Sequence, residues 1–243
     1  MKLSRSTGTI LFLVFSLTSL NAQTPSQSPC TWGHASRAAG GDLLSLGHGI
    51  MSVPRNAIRP HNLDWELPVA ASTGLLIAKG DRPGADRIQS RSLQSTSRTW
   101  SNVGMGMELG IGGLGWAAGC MSKHSHLTDA AFTSLVAAGS ATALHLTLKA
   151  AFARQYPYTS GSTGKFWSNG HSMPSGHSAT SFAFAATMAH RYPHNEWIKW
   201  GSYALATGVS VARFTAKRHY ASDILVGGAL GYVSGAYIAD HAR

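Results

Sequence analysis

The chain has 243 residues, enough for one sizeable domain, and its composition shows no shift that would require two. Lysine and arginine number 20 against 10 aspartates and glutamates, so the formal net charge is +10, which favours anionic partners such as phosphorylated molecules or acidic lipid head groups. No nucleic-acid partner is expected, because the sequence lacks both a long basic run and a basic stripe interleaved with aromatic side chains.

The N-terminus has the pattern of a secretory signal peptide. Lys2 and Arg5 provide the positive start, and an apolar stretch leads to a passable cleavage sequence at residues 20–22. The sequence therefore predicts a signal peptide over residues 1–22 and an exported protein, periplasmic or membrane-associated. A retained anchor helix is the alternative.

The rest of the chain reads as a linker followed by one helical domain. Residues 23–36 are polar and contain proline, and residues 37–243 form the predicted domain. Apolar residues recur there at helical spacing, and strand-like runs are missing, so the sequence predicts an all-α protein. The candidate helices are 37–51, 65–79, 84–97, 100–121, 128–153, 177–191, 196–213 and 219–240, with loops that include 81–84, 123–126 and 192–195.

Little in the mature chain is typical of a membrane-spanning protein. Its longest helix-like stretch without Asp, Glu, Lys or Arg, 130–148, includes His145 and several serines and threonines. The mean hydropathy of the chain is −0.03. The sequence favours a soluble or membrane-associated protein.

Two further patterns concern packing. Cys30 and Cys120 are able to pair in an oxidising compartment, but their contexts favour two unpaired residues. Gly227, Gly231 and Gly235 recur every four residues, which predicts close approach between helix backbones.

Pro174-Ser175-Gly176-His177 opens an apolar helical run. Proline and serine suit a helix start, glycine lets the backbone approach a ligand, and free amides there point at an anion. His177 would stand beside that anion and donate a proton to a leaving oxygen. On its own, such a tetrapeptide is more often a capped helix start with an incidental histidine.

Arg213, His219 and Asp223 form a second candidate group. The four-residue spacing puts His219 and Asp223 on one helical face, so the carboxylate can hold one ring nitrogen and leave the other nucleophilic. Arg213 brings a planar fork suited to phosphate oxygens. A surface His–Asp pair beside the basic loop Lys217-Arg218 is the alternative.

Together, and in this order, the two stretches resemble the signature of the type 2 phosphatidic acid phosphatases. That superfamily includes bacterial non-specific acid phosphatases and vanadium haloperoxidases. Pro-Ser-Gly-His is intact at 174–177, and the Ser-Arg, five residues, His, three residues, Asp element matches except for Ala212 in the serine position. The resemblance covers roughly residues 128–240 and implies a helical bundle with its site between helices.

The remaining signature element is Lys, six residues, Arg-Pro. Lys149 and Pro157 match it, but Tyr156 occupies the arginine position. A phenol donates one hydrogen bond without charge, and losing one oxyanion donor typically costs about 10²–10³ in turnover. Arg154 lies about 140° from Lys149 on an ideal helix. Its side chain would therefore replace the missing arginine only if the helix ended before Pro157. Lys217 and Arg218 are the other candidate substitutes.

The resemblance implies the role of each site residue. His219 would attack phosphorus to form a phosphohistidine, His177 would protonate the leaving group and then activate water, and Asp223 would orient His219. The residues implied to bind phosphate are Lys149, Ser175, Gly176, Arg213 and Tyr156. No metal or other cofactor is expected, and vanadate is expected to bind only as a phosphate mimic.

Other residues are weaker candidates for the site. His124 and His126 read as solvated loop residues rather than metal ligands, and His145 as a hydrogen-bonded packing residue. The loop before Pro174 offers further candidates for substrate contact or an apolar entrance, with packing equally expected for its aromatic members. These residues are Phe166, Trp167, Asn169 and His171.

The predicted function is an exported, metal-independent phosphomonoesterase that acts on a lipid phosphate or a small phosphate ester, with an anionic membrane surface as a further partner. Two alternatives stay open. One is a vanadate-dependent haloperoxidase, which Tyr156 and the short chain disfavour. The other is a non-catalytic protein that binds phosphate or lipid head groups, which Tyr156 and Ala212 favour.

Overall fold

The computed structural model describes Cys30 and residues 60–241. Within these ranges the chain is helical and has no strand, so the all-α prediction is confirmed. The predicted signal peptide, the linker apart from Cys30, and the predicted helix 37–51 lie outside the described residues. The elements are α1 (Pro60–Leu75), a π-helical turn (Leu76–Gly80), α2 (Asp81–Asp86), α3 (Arg91–Ser122), α4 (Ser125–Phe152), α5 (Gly176–Arg191), α6 (Glu196–Thr215) and α7 (Ala221–His241).

Side-chain caps account for the starts of four helices. The side chains of Ser90, His124, Ser175 and Asn195 each accept a hydrogen bond from an amide in the first turn of α3, α4, α5 and α6. Such caps satisfy amides that have no partner inside the helix.

Several boundaries differ from the sequence prediction. Of the predicted helix 84–97, residues 84–86 belong to α2 and residues 87–90 are not helical, while the remainder joins the predicted helix 100–121 in the single helix α3. No proline or glycine interrupts the chain between residues 97 and 100, and the Thr99 hydroxyl bonds back to the carbonyl of Ser95. The predicted loop 123–126 is shortened to residues 123–124, because α4 begins at Ser125. The predicted loop 81–84 is part of α2. Pro83 fits there because the first turn of a helix does not use its amides.

Helix α5 lies at the centre of the bundle and packs against α4, α6 and α7. Its buried residues are mostly alanine, serine and threonine, which allow close helix approach. On the facing side of α7, a side chain at Gly227, Gly231 or Gly235 would collide with a backbone carbonyl of α5 or of its cap residue Ser175. The predicted close approach at these glycines is confirmed.

Cys30 and Cys120 form a disulfide, so the expectation of two unpaired cysteines was wrong. The bond joins the lead-in segment to the last turn of α3, across a sequence separation of 90 residues. Their Cα atoms lie 5.5 Å apart, a distance typical of disulfides. Local composition carries no information about such a long-range approach.

One of the described helices, α4, is long and apolar enough to cross a membrane by length and composition. However, 44% of its most apolar window is buried inside the molecule. The buried core helix of a soluble protein has the same properties.

Candidate active site

The imidazole of His219 is buried just before α7, with its two nitrogens in different surroundings. Nδ1 lies 2.7 Å from the carbonyl oxygen of Ser172. A carbonyl can only accept a hydrogen bond, so Nδ1 carries the proton and donates it. Nε2 is therefore left with its lone pair, as a nucleophile requires.

The carboxylate of Asp223 lies beside the His219 ring but makes its hydrogen bonds to neighbouring groups. Its Oδ2 lies 3.8 Å from Nδ1 of His219, beyond hydrogen-bond distance. The same oxygen already accepts from the Ser172 hydroxyl at 2.5 Å and from the Tyr220 amide at 2.9 Å. Asp223 thus positions His219 through Ser172, whose carbonyl makes the contact.

A buried guanidinium completes the surroundings of Asp223. Nη1 of Arg154 donates to Oδ1 of Asp223 at 2.5 Å, and Nη2 donates to Oδ2 of Asp81 at 2.7 Å. Burial alone would raise the pKa of Asp223, but the charge of Arg154 and the hydrogen bond from the Ser172 hydroxyl hold that pKa below its ordinary value. Sequence reasoning missed Asp81, which lies outside every motif.

Arg154 therefore does not replace the arginine missing at Tyr156. Helix α4 ends at Phe152, and Ala153 adopts a left-handed conformation with φ 42°, so the required break is present. The break turns Arg154 inward, where its side chain is only 2% exposed. Its guanidinium lies between the rings of Phe166 and Tyr220, 4.8 and 4.4 Å from their centroids.

His177 lies in the first turn of α5, and its Nε2 is 2.9 Å from Oδ1 of Asn102 on α3. Burial, followed by the charge of Arg213, lowers the pKa of His177 to about 3. The ring is therefore neutral near pH 7 in the empty site. Its Nε2–H then donates to Asn102, which leaves Nδ1 as the free nitrogen. No sequence signal singled out Asn102.

The amides at the start of α5 are divided between structural and free groups. The Ser175 amide donates to the Asp223 carbonyl at 2.9 Å, so it is not free to hold a phosphate oxygen as expected. Among the described residues the amides of Gly176 and His177 have no such partner. A side chain at Gly176 would collide with the ring of His145, which therefore borders the site. The free amides are one residue later than predicted.

Two cations on different helices converge beside the histidines. Arg213 on α6 is buried, and its Nη1 donates to the Ser101 hydroxyl at 3.3 Å, while its Nε has no partner among the described residues. Burial and the charge of Arg218 lower the pKa of Arg213 to about 10, and burial and the charge of Arg213 lower that of Lys149. Buried cations that repel one another in the empty site would be stabilised by an anion between them.

Tyr156 lies in the site, although it is not an arginine. Its ring centroid is 6.1 Å from that of His219, and the ring stacks on Tyr158 with 5.0 Å between centroids. Arg218 lies over Tyr158, 4.5 Å from the ring centroid, and its charge acts on Tyr156 and Lys149. The stacked rings of Tyr156 and Tyr158 hold Arg218 near the site. Arg218 is therefore the candidate substitute for the missing guanidinium.

The remaining candidates have mainly structural contacts. Phe166 packs under Arg154 rather than lining an entrance, and the Trp167 indole donates to the Ala151 carbonyl. His124 caps α4, and the ring of His126 packs edge-on against Tyr192. Across residues 60–241, no group of three or more His, Cys, Asp or Glu side chains is arranged to hold a metal ion.

Residues 130–240 match the sequence model of the PAP2 superfamily. This range contains all three signature elements, from Lys149 to Asp223. The resemblance inferred from the motifs is thereby confirmed, and the all-α bundle is consistent with the PAP2 fold.

A lipid A 1-phosphatase of Porphyromonas gingivalis is 38% identical to the chain over 66 residues. That alignment covers 27% of this chain and 15% of the relative, so the chain spans only a small part of the relative's length. No solved structure shows a significant match to the chain.

Proposed function

We propose that this protein is a phosphoric monoester hydrolase that forms a phosphohistidine on His219 without a metal ion. The observation that carries the proposal is the hydrogen bond from Nδ1 of His219 to the Ser172 carbonyl, which fixes the tautomer with a bare Nε2. Membership of the matched region in the PAP2 superfamily supports the reaction class.

In the first step, Nε2 of His219 attacks phosphorus as the bond from phosphorus to the leaving oxygen breaks. His177 gives a proton to that oxygen, so the leaving group departs as an alcohol. The phosphate brings negative charge among the cations that lower the pKa of His177, and its binding therefore raises that pKa. Lys149, Arg213 and the amides of Gly176 and His177 hold the phosphate oxygens.

In the second step, the now neutral His177 takes a proton from a water molecule whose oxygen attacks the phosphohistidine. The bond between phosphorus and Nε2 breaks, and inorganic phosphate leaves. His219 recovers its lone pair, and His177 is again protonated for the next cycle.

Export and a lipid phosphate substrate are part of the proposal. The signal-peptide pattern at residues 1–22 supports export, and the Cys30–Cys120 disulfide is typical of oxidising compartments such as the periplasm. The partial relative is named as a phosphatase of a lipid, which supports a lipid phosphate over a small ester. The net charge of +10 suits an anionic membrane surface.

The decisive experiment combines steady-state and rapid-quench kinetics on the purified full chain. We expect phosphate release from a panel of soluble and lipid monoesters, and an acid-labile phosphoprotein within the first turnover. His219→Ala should abolish both signals, and the exposed His194→Ala is the matched control that should leave them unchanged. Release that persists in His219→Ala, or no release from any ester, would refute the proposal.

Non-catalytic phosphate binding is a second candidate, and Tyr156 in the arginine position favours it. In that case inorganic phosphate would raise the melting temperature, while no ester would be hydrolysed and no phosphoprotein would form.

Added vanadate distinguishes the phosphatase from the haloperoxidase alternative. We expect it only to inhibit in competition with substrate, whereas vanadate-dependent bromide oxidation would contradict the phosphatase proposal.

A further inference from the structure

A third histidine, His145 on α4, borders the residues that are proposed to hold phosphate. It lies outside the three signature elements, and only 8% of its surface is exposed. Its Nδ1 lies 3.2 Å from the carbonyl oxygen of Ala141, one helical turn earlier on the same helix. Because a carbonyl can only accept a hydrogen bond, Nδ1 carries the proton and Nε2 keeps its lone pair.

Nε2 of His145 faces the start of α5. A side-chain carbon added to Gly176 would lie 2.5 Å from this nitrogen, closer than from any other atom of the ring. The free amide of Gly176 is bonded to the same Cα that faces Nε2. Nε2 has no hydrogen-bond partner among the described residues. An anion held by that amide therefore lies beside the ring nitrogen of His145 that is still available.

Charged and titratable groups from several helices surround His145. Lys149 lies four residues later on the same helix, His177 lies on α5, and His219 lies just before α7. On α3, the buried carboxyl group is that of Glu108, whose pKa is raised by burial. Burial, followed by the charge of Lys149, lowers the pKa of His145 to about 4. His145 is therefore neutral near pH 7 in the empty site.

We infer that His145 is a further phosphate ligand, which takes a proton from solvent onto Nε2 when the anion binds and donates it in a hydrogen bond to a phosphate oxygen. The inference rests on the proposed function only in placing phosphate at this site. The acidic group at the start of α7, Asp223, is already paired with Arg154, so the bound anion is the counter-charge for the new imidazolium. An opposite charge within about 4–6 Å raises the pKa of such a group by about 1–3 units.

This proton makes the affinity of the site for anions depend on pH. The anion-bound form holds a proton that the free form lacks, so affinity increases as the pH falls from about 7 towards the free pKa of about 4. If the pKa rises by about two units, protonation strengthens binding about tenfold at pH 5 and leaves it unchanged at pH 8. His145 thus adds charge in acid to a site where Tyr156 occupies the arginine position.

His145→Gln tests the inference, because glutamine keeps a polar side chain that does not titrate. His145→Phe is the second variant, since it keeps a ring for packing without either nitrogen. His241→Gln is the matched control, because Nδ1 of His241 also bonds to the carbonyl four residues earlier, at the opposite end of α7 from His219. The probe is sulfate, a tetrahedral dianion that stays fully charged from pH 5 to pH 8. Melting temperatures verify that the variants are folded.

Isothermal titration calorimetry in buffers of different ionisation enthalpy measures both affinity and proton uptake. We expect the two His145 variants to bind sulfate about tenfold more weakly than the wild type at pH 5, to take up about 0.8 fewer protons there, and to bind within twofold of the wild type at pH 8. His177 gains a proton in every protein, so the difference belongs to His145. His241→Gln should match the wild type. A loss of affinity that is equal at both pH values would assign His145 a packing role and overturn the inference, as would unchanged binding.

Ester hydrolysis separates this inference from the proposed function. With p-nitrophenyl phosphate, His145→Gln should raise KM about tenfold at pH 5 with little change in kcat, because the imidazolium contacts phosphate both before and during the reaction. If sulfate binding changes as expected while no ester is hydrolysed, the His145 assignment stands and the hydrolase proposal fails. If esters are hydrolysed and sulfate binds the wild type and both variants alike at both pH values, the His145 assignment fails alone.

Discussion

Arg154 and Asp223 form a buried ion pair, with 2.5 Å between Nη1 and Oδ1, although 69 residues separate them along the chain. Asp81 binds the other side of the same guanidinium and also accepts from the Ser222 hydroxyl. The network joins α2, the segment after α4 and the start of α7 directly beneath His219. It holds Asp223, which accepts from the Ser172 hydroxyl, and the Ser172 carbonyl in turn accepts from His219.

Asp81→Ala should therefore destabilise the protein. Removing one partner leaves a buried guanidinium partly uncompensated, and we expect the free energy of unfolding to fall by about 3–5 kcal/mol. Asp129→Ala is the control, because Asp129 is 44% exposed in its ion pair with Arg191 and should change stability by no more than about 1 kcal/mol. Denaturant unfolding followed by circular dichroism measures both. Equal effects would show that the buried network contributes little.

Tyr156→Arg tests the departure from the family signature. The new guanidinium would lie beside His219 and supply a charged fork for phosphate oxygens, so we expect kcat/KM to rise by about 10²-fold. Without ligand, the added cation should repel Lys149 and Arg213 and lower the melting temperature, and inorganic phosphate should restore it. Tyr156→Phe is the matched control for loss of the hydroxyl. A fall in kcat/KM for Tyr156→Arg would show that tyrosine is adapted to a particular substrate.

Asn102→Asp tests the role of His177 as the acid. A carboxylate 2.9 Å from Nε2 favours the charged imidazole, so the pKa of His177 should rise by about 1–3 units from its low value of about 3. The protonated acid would then persist to higher pH, and the alkaline limb of the kcat profile should move upward. Asn102→Ala removes the hydrogen bond without adding charge, so it should produce no upward shift. Coincident pH profiles for all three proteins would remove His177 from the acid role.

Glu108 on α3 offers a test of pH-dependent stability. Its side chain is 1% exposed, and burial raises the pKa to about 7, a rise that the Ser181 hydroxyl only partly opposes. The folded state thus keeps a proton that the unfolded chain loses near pH 4.5, and stability is lost as the pH rises through about 7.

Glu108→Gln should therefore stabilise the protein by about 3 kcal/mol at pH 8 and have little effect at pH 4. Thermal unfolding at both values measures the difference. A stabilisation that is independent of pH would mean that the carboxyl group does not titrate in this range.

The sequence predicts those parts of the site that depend on spacing within one short stretch of the chain. Residues 174–177 begin a capped helix, and residues 213–223 place Arg213 and His219 in one region, because these patterns are local. The partners Asn102, Asp81 and the Ser172 carbonyl come from distant segments with no motif of their own. The same limit explains the missed disulfide.

The roles of the catalytic and phosphate-binding residues remain predictions, and so do the domain boundaries. The structure changes the route by which Asp223 acts and the amides that are free. Both changes have the same cause. Asp223 and the Ser175 amide already have hydrogen-bond partners, and the order of residues in the sequence does not reveal those partners.

The backbone contacts at Gly227, Gly231 and Gly235 hold α5, which carries His177, tightly against α7, which begins two residues after His219. We expect main-chain packing to set the spacing of these two histidines and to make it insensitive to ligand size. Helix α3 contacts His177 and Arg213 through the side chains of Asn102 and Ser101. Side-chain hydrogen bonds yield more readily than interlocked backbones, so we expect a bulky substrate to change these contacts while the spacing of His177 and His219 is preserved.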